Sequence, residues 1–181
     1  MLQAEASITT RKEEETAYIG EMLGRVLREP LVIALQGDLG VGKTVFVRGA
    51  CRGLAVNDHV SSPTFVLMKI YHGRLPVYHF DFYRLSPDEE PDELGFDEYL
   101  PGDGVAFIEW AERLPELLPP AYLQIFIERF YDANGEGRRL LFDPRGSSAS
   151  RVVETIIESI TWRTDGALNM KAAGEAGSSH C

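Results

Sequence analysis

Cysteine is scarce in this chain. Cys51 and Cys181 are too few for a disulfide framework and too far apart for a metal-binding cluster. A small, disulfide-stapled secreted domain is therefore excluded, and a reducing cytoplasm is the expected compartment. Lysine is also rare, with 4 in 181 residues, and 28 acids against 18 Lys and Arg leave a formal net charge of −10. Such a surface repels phosphate backbones, because nucleic-acid affinity rests on Lys and Arg neutralising phosphates. A role in nucleic-acid metabolism would then need a partner to hold the nucleic acid. No stretch approaches the roughly 20 apolar residues of a membrane helix. The start, Met1-Leu2-Gln3-Ala4-Glu5, lacks the basic and apolar regions of a secretory leader. From Ser86 to Glu112 there is no Lys or Arg, yet there are ten acids. That stretch reads either as a solvated face or as a docking surface for a basic partner.

What is present is patterned as an α/β chain. Thr10 and Glu13 have capping-box spacing, and a helical pattern follows to about Arg28, with Ile19, Met22, Leu23, Val26 and Leu27 on one face and Pro30 beyond. Leu31–Gln36 reads as a strand buried on both faces, followed by a glycine-rich turn and a helix over 43–55. Val60–Pro63 reads as a loop. Phe65–Tyr71 and Val77–Phe82 read as strands joined at His72-Gly73-Arg74. Residues 86–103 read as loop plus a short helix, and Val105–Glu109 as another buried strand. Tyr122–Arg129 and Arg138–Phe142 read as strands around the hairpin signal Asn134-Gly135. Ser147 is placed to cap a last helix carrying Val152, Val153, Ile156, Ile157 and Ile160 inward. This order predicts a P-loop NTPase-like three-layer domain with a mixed central sheet over residues 1–163. The small, polar residues 164–181 predict a tail without order.

The sharpest motif is Gly37-Asp38-Leu39-Gly40-Val41-Gly42-Lys43-Thr44, a P-loop between a strand and a helix. Its glycines let backbone amides turn inward around phosphates. Lys43 can reach the β- and γ-phosphates, Thr44 can ligate magnesium, and the helix that follows points its positive end at the anion. Asp38 reads as a loop-shaping residue. A P-loop needs a further carboxylate to hold magnesium and order a water. Glu109 ends an apolar strand, which is also an ordinary exit to solvent. Asp81 sits in His79-Phe80-Asp81-Phe82-Tyr83-Arg84, either in that role or paired with Arg84. His79 reads as a packed strand histidine, with a ligand or base as the alternative. Ser61-Ser62-Pro63-Thr64 lies where a γ-phosphate-sensing switch segment often falls, though its composition is also common in loops. Trp110 fits core packing or a lid over the nucleotide.

The P-loop, Ser62-Pro63-Thr64-Phe65, His79-Phe80-Asp81-Phe82-Tyr83-Arg84 and Ile108-Glu109-Trp110 occur in this order. The ordered set resembles the bacterial TsaE family, the small ATPase of the machinery that makes threonylcarbamoyladenosine next to the anticodon of tRNA. The likeness spans roughly residues 5–145. Val41 stands where that family commonly has Ala, and Phe82 where it has Leu. The resemblance implies ATP binding by Leu39, Gly40, Val41, Gly42, Lys43 and Thr44, with Thr44 and Glu109 as Mg2+ ligands. It implies that Asp81 supports hydrolysis beside Lys43 and Glu109, and that Ser62, Thr64 and Trp110 form the switch. Adenine would lie between Glu13 and the Gly137-Arg138 turn. The implied partners are TsaB- and TsaD-like proteins, the second carrying the transferase chemistry, with hydrolysis resetting the complex. tRNA would be met only through that complex.

Two other readings use the same P-loop. A small-molecule kinase needs an arginine-bearing lid, and 86–112 has no arginine. A GTP-driven switch usually reads guanine with Asn-Lys-x-Asp, which this chain lacks. No arginine is certain to act as a finger in cis, Arg84 being the nearest candidate, so hydrolysis by the chain alone is expected to be slow.

Overall fold

Leu31–Gln36 forms strand β2 at the centre of the sheet, with its first five side chains buried. Only a strand covered on both faces carries apolar residues at every position. The structure is a computed structural model and describes residues 6–86, 95–96, 99–100, 102–161 and 170–172. Around β2 the chain places β1 (Ala6–Thr10), α1 (Glu13–Val26), α2 (Lys43–Gly53), β3 (Met68–His72), β4 (Pro76–Asp81), β5 (Val105–Glu109), β6 (Tyr122–Asp132), β7 (Gly135–Arg145), α3 (Ser147–Thr161) and β8 (Met170–Ala172).

The strands make one sheet in the order β3-β4-β5-β2-β6-β7-β1-β8. The inner four, β4, β5, β2 and β6, run parallel, while β3 on one side and β7, β1 and β8 on the other pair antiparallel. The sheet is mixed and the class is α/β, as the order of elements predicted. Alternate residues of β2 serve two cores. Leu31, Ile33 and Leu35 pack in one with Phe46 of α2, Leu23 of α1 and Ile156 of α3. Val32 and Ala34 pack in the other with Phe80, Phe82, Ile108 and Leu114. Described residues between β4 and β6 pack on that second face, among them Leu85, Phe96, Leu100 and the short 3-10 turns at Ala111–Arg113 and Pro115–Leu117.

Helices α1 and α2 approach with almost no side chain between them. A Cβ on Gly49 would fall 1.9 Å from the Ala17 carbonyl oxygen, and one on Gly20 would fall 2.1 Å from that of Phe46. At the far end the β3–β4 turn ties both helices down. Arg74 donates through Nη1 to Leu27 O at 2.6 Å and through Nη2 to Gly24 O at 2.8 Å, while its amide donates to Leu54 O at 2.6 Å.

Several expectations shift. The box at the start of α1 is two residues later than Thr10 and Glu13: Glu15 accepts from the amides of Arg11 (2.6 Å) and Lys12 (3.3 Å), because Thr10 ends β1 and bonds Thr16 instead. Strand β1 itself was not apparent, since Ile8 is its single large apolar residue and its order comes from pairing with β7. Phe65 and Val66 are not in a strand. They lie in a turn whose amides at Val66 and Leu67 bond Pro63 O, so β3 starts at Met68. Strands β6 and β7 extend past the predicted ends, to a tight turn before Gly135. Ser147 is the first residue of α3 and not its cap: Gly146, at φ 89°, precedes it, and its carbonyl takes the Ser150 amide at 3.1 Å. Residues 170–172 of the polar tail form β8 against β1. The rest of the tail and most of the acidic stretch, residues 87–94, 97–98 and 101, lie outside the described residues.

Candidate functional site

The ends of three parallel strands converge on one edge of the sheet. β2 runs into the P-loop, β4 ends at Asp81 and β5 ends at Glu109, with Asp81 and Glu109 paired in register. Open parallel sheets bind ligands at this carboxyl edge. A cavity of about 360 Å³ lies there, lined by Leu39, Gly40, Gly42, Lys43, Thr44, Val45, Ser62, Thr64, Asp81, Tyr83, Glu109 and Trp110. Most of the site residues read from the sequence meet in it.

The loop has the shape the motif demands. Gly37, Gly40 and Gly42 have φ of 139°, 72° and 118°, a region that favours glycine. A Cβ at Gly37 would also strike the Ile127 carbonyl oxygen at 2.2 Å. Gly42 caps α2 without a side-chain hydrogen bond. Lys43 is 4% exposed. Its Nζ donates to Gly37 O (2.5 Å) and Asp38 O (3.0 Å) and lies 3.9 Å from the Trp110 ring centroid. Burial pushes its ammonium below the ordinary lysine value, while Glu109, Glu112, Asp81 and Asp38 act the other way.

Glu109 and Asp81 are each 3% exposed. The Thr44 hydroxyl donates to the Glu109 carboxylate, at 2.8 and 3.1 Å from its two oxygens. His79 Nε2 lies 2.9 Å from Glu109 Oε1. Asp81 Oδ2 accepts from Ser62 Oγ at 2.8 Å and Thr64 Oγ1 at 2.5 Å, and Oδ1 takes the Tyr83 amide at 3.0 Å. The pairing of Asp81 with Arg84 is not what forms. Arg84 leaves the strand end and lays its guanidinium 4.3 Å from the centroid of the exposed Phe65 ring, while hydroxyls satisfy Asp81. Trp110 is neither plain core nor detached: its backbone is at φ 61°, its ring lies 5.0 Å from that of Tyr83, and it forms a cavity wall.

Glu13 and Gly137 do not line this cavity. Glu13 faces Arg48 at 3.7 Å, and Gly137 packs under Phe130. The neighbour of Gly137 does reach the loop: Arg138 Nε donates to Val41 O at 2.9 Å, beside Arg129 Nη2 to Gly40 O at 3.3 Å. The sequence marked Arg138 only as part of the Gly137-Arg138 turn and did not mark Arg129; neither contact with the loop carbonyls was expected. His79 was legible as a strand histidine but not as the partner of Glu109, although its spacing of two from Asp81 put both on one face.

Thr44 and Glu109 supply oxygen donors of the kind magnesium prefers, leaving positions for phosphate and water. Among the described residues no cluster of three or more His, Cys, Asp and Glu forms a closed metal cage. No helix among them is long and apolar enough to cross a membrane.

Comparisons with known proteins agree with this fold. Residues 10–139 match the family described as threonylcarbamoyl adenosine biosynthesis protein TsaE. A tRNA threonylcarbamoyladenosine biosynthesis protein TsaE from Treponema pallidum is 42% identical over 127 residues, which are 70% of this chain and 94% of that protein. The Bacillus subtilis protein of the same name is 39% identical over 148 residues, 81% of this chain and 90% of that protein. The crystal structure of Bacillus subtilis YdiB superposes with a TM-score of 0.74 at 34% identity, covering 86% of this chain and 96% of that one. With its motifs folded into one cavity and the match running through most of its length, the chain belongs to the TsaE family.

Proposed function

We propose that this chain binds and hydrolyses ATP with Mg2+ as a component of the machinery that places threonylcarbamoyladenosine on tRNA. The observation that carries the reading is the meeting of Thr44 with Glu109, and of Lys43 with both carboxylates, in one cavity at the end of the P-loop. A solitary glycine turn would not bring a buried lysine, a hydroxyl and two buried carboxylates together.

In this reading the P-loop amides and Lys43 hold the β- and γ-phosphates and offset charge that develops on their oxygens as water attacks in line. Thr44 and Glu109 would hold Mg2+, which supplies further neutralisation of the phosphate oxygens. Asp81, at the edge of the same cavity, orients the attacking water and takes up its proton. Ser62 and Thr64 carry the state of the γ-phosphate into the 61–67 segment. No arginine is among the described residues that line the cavity, so turnover by the chain alone is slow, and TsaB- and TsaD-like partners raise it. The net charge of −10 suits a subunit that leaves tRNA to those partners.

Phosphate release from ATP by the purified chain, alone and with a purified TsaB- and TsaD-like pair, tests the enzymatic half. The biological half is tested by the threonylcarbamoyladenosine content of tRNA in depleted cells that carry either the native chain or Lys43→Ala. The native chain restores the nucleoside and Lys43→Ala does not. Equal rates with and without the pair would remove the dependence on partners, and full restoration by Lys43→Ala would remove the ATPase role.

A further inference from the structure

We infer that His79 is a positioning residue, whose side-chain hydrogen bond fixes the Glu109 carboxylate for a divalent cation. The inference rests on the Mg2+-dependent reading of the site given above.

The parallel register of β4 and β5 pairs His79 with Phe107 and Asp81 with Glu109. His79 is therefore the next residue on the same face of β4 behind Asp81, and its ring reaches across to the neighbouring strand end. Nε2 lies 2.9 Å from Glu109 Oε1. Facing a carboxylate oxygen, that nitrogen is the one that carries a proton and donates. The ring is completely buried. It sits tilted at 6.4 Å from the ring of Tyr71, whose own hydroxyl is held by the backbone of Ser61, donating to O at 3.1 Å and accepting from N at 3.3 Å. Nδ1 has no hydrogen-bond partner among the described residues, so no second bond pulls the ring elsewhere.

Glu109 has two donors of different kinds. Thr44 belongs to the nucleotide loop, and its hydroxyl contact is exchanged or shared when a cation binds between them. His79 belongs to the sheet and stays. A carboxylate restrained on one oxygen presents the other in a fixed direction, and partners of this type commonly govern metal affinity as strongly as some direct ligands. His79 does not touch the reacting atoms; it acts through Glu109.

Glutamine and asparagine separate this role from packing. The side-chain nitrogen of Gln falls near the position of Nε2, while that of Asn is too short to reach Glu109. The full chain is titrated with Mg2+ in the presence of a fluorescent N-methylanthraniloyl ATP, and nucleotide binding is measured separately in EDTA. His79→Gln is expected to keep the native Mg2+ half-saturation. His79→Asn should raise it by about 10- to 100-fold, the usual loss on removing a partner behind a metal ligand, with binding in EDTA unchanged. Native Mg2+ dependence in His79→Asn overturns the inference. So does an equal loss in EDTA, or equal impairment of the two variants, since each marks a packing role. If the native chain itself binds no more tightly with Mg2+, the reading of the site fails first, which no variant is needed to see, and the inference falls with it.

Discussion

Ser62 and Asp81, nineteen positions apart, are joined by a 2.8 Å hydrogen bond from hydroxyl to Oδ2, and Thr64 donates to the same oxygen at 2.5 Å. One carboxylate oxygen thus gathers the hydroxyls of Ser62 and Thr64 in the loop that follows α2. The base of that loop is separately secured. Lys69 donates to Ser61 Oγ at 2.7 Å and to Ser62 O at 3.3 Å. Beyond Thr64 the chain is open: Phe65 is 84% exposed.

Asp81→Asn keeps the shape but places an amide where two hydroxyls donate. Hydrolysis should fall by roughly 10²- to 10⁴-fold, the usual worth of a positioned acid or base. Nucleotide affinity should change little, and amide exchange over residues 62–67 should quicken. Turnover at the native rate would leave Asp81 a purely structural acid.

Lys43→Ala removes the lysine that lines the cavity. Loss of a charge-assisted contact costs about 1.5–3 kcal/mol, so calorimetry should show ATP affinity down by at least tenfold. Glu109→Ala should instead lose Mg2+-dependent hydrolysis more than nucleotide binding. The reverse ranking would exchange the roles assigned to the two residues.

The contrast between these residues and their supports shows what sequence carries. The strands over Leu31–Gln36 and Val105–Glu109 were legible to the residue, because a strand buried on both faces is an unbroken apolar run. Lys43, Thr44, Asp81 and Glu109 were singled out by their motifs, and the fold brings all four to one cavity. The contacts of Arg138 and Arg129 with the loop carbonyls and the bond from His79 to Glu109 were not legible, since each depends on which strands lie side by side. The edge strand β1 escaped for the same reason: its order is tertiary. Phe65 and Val66 misled in the other direction, as two β-prone residues held in a turn by Pro63 O.

Gly49→Ala should destabilise the fold. Its Cβ would stand 1.9 Å from a backbone oxygen of α1, an atom that cannot swing aside. Overpacking of this kind costs typically 1–3 kcal/mol, seen as a lower midpoint of urea unfolding. An unchanged midpoint would mean that the two helices part freely.

Cys51 is buried in α2, and burial pushes its thiol up to about 12. In the unfolded chain it titrates near 8.5. The raised value means that the protonated thiol favours the fold below the unfolded value, and that this contribution is lost as pH rises through the folded one. In Cys181→Ser, iodoacetamide at pH 8 should not modify Cys51 until urea is added. Rapid labelling of the native protein would contradict the packing around α2.

Glycines at the crossing of α1 and α2 bring two backbones into contact, and Arg74 fastens the same pair at its other end. Locked in this way, the two helices behave as a single rigid plate, with the glycine-rich loop mounted on its rim. Sliding one helix along the other would drive a Cα into a carbonyl, so ligand exchange has little freedom on that side. Any mechanical response to filling and emptying the cavity must then be expressed through the opposite wall, where Thr64, Tyr83 and Trp110 stand on turns.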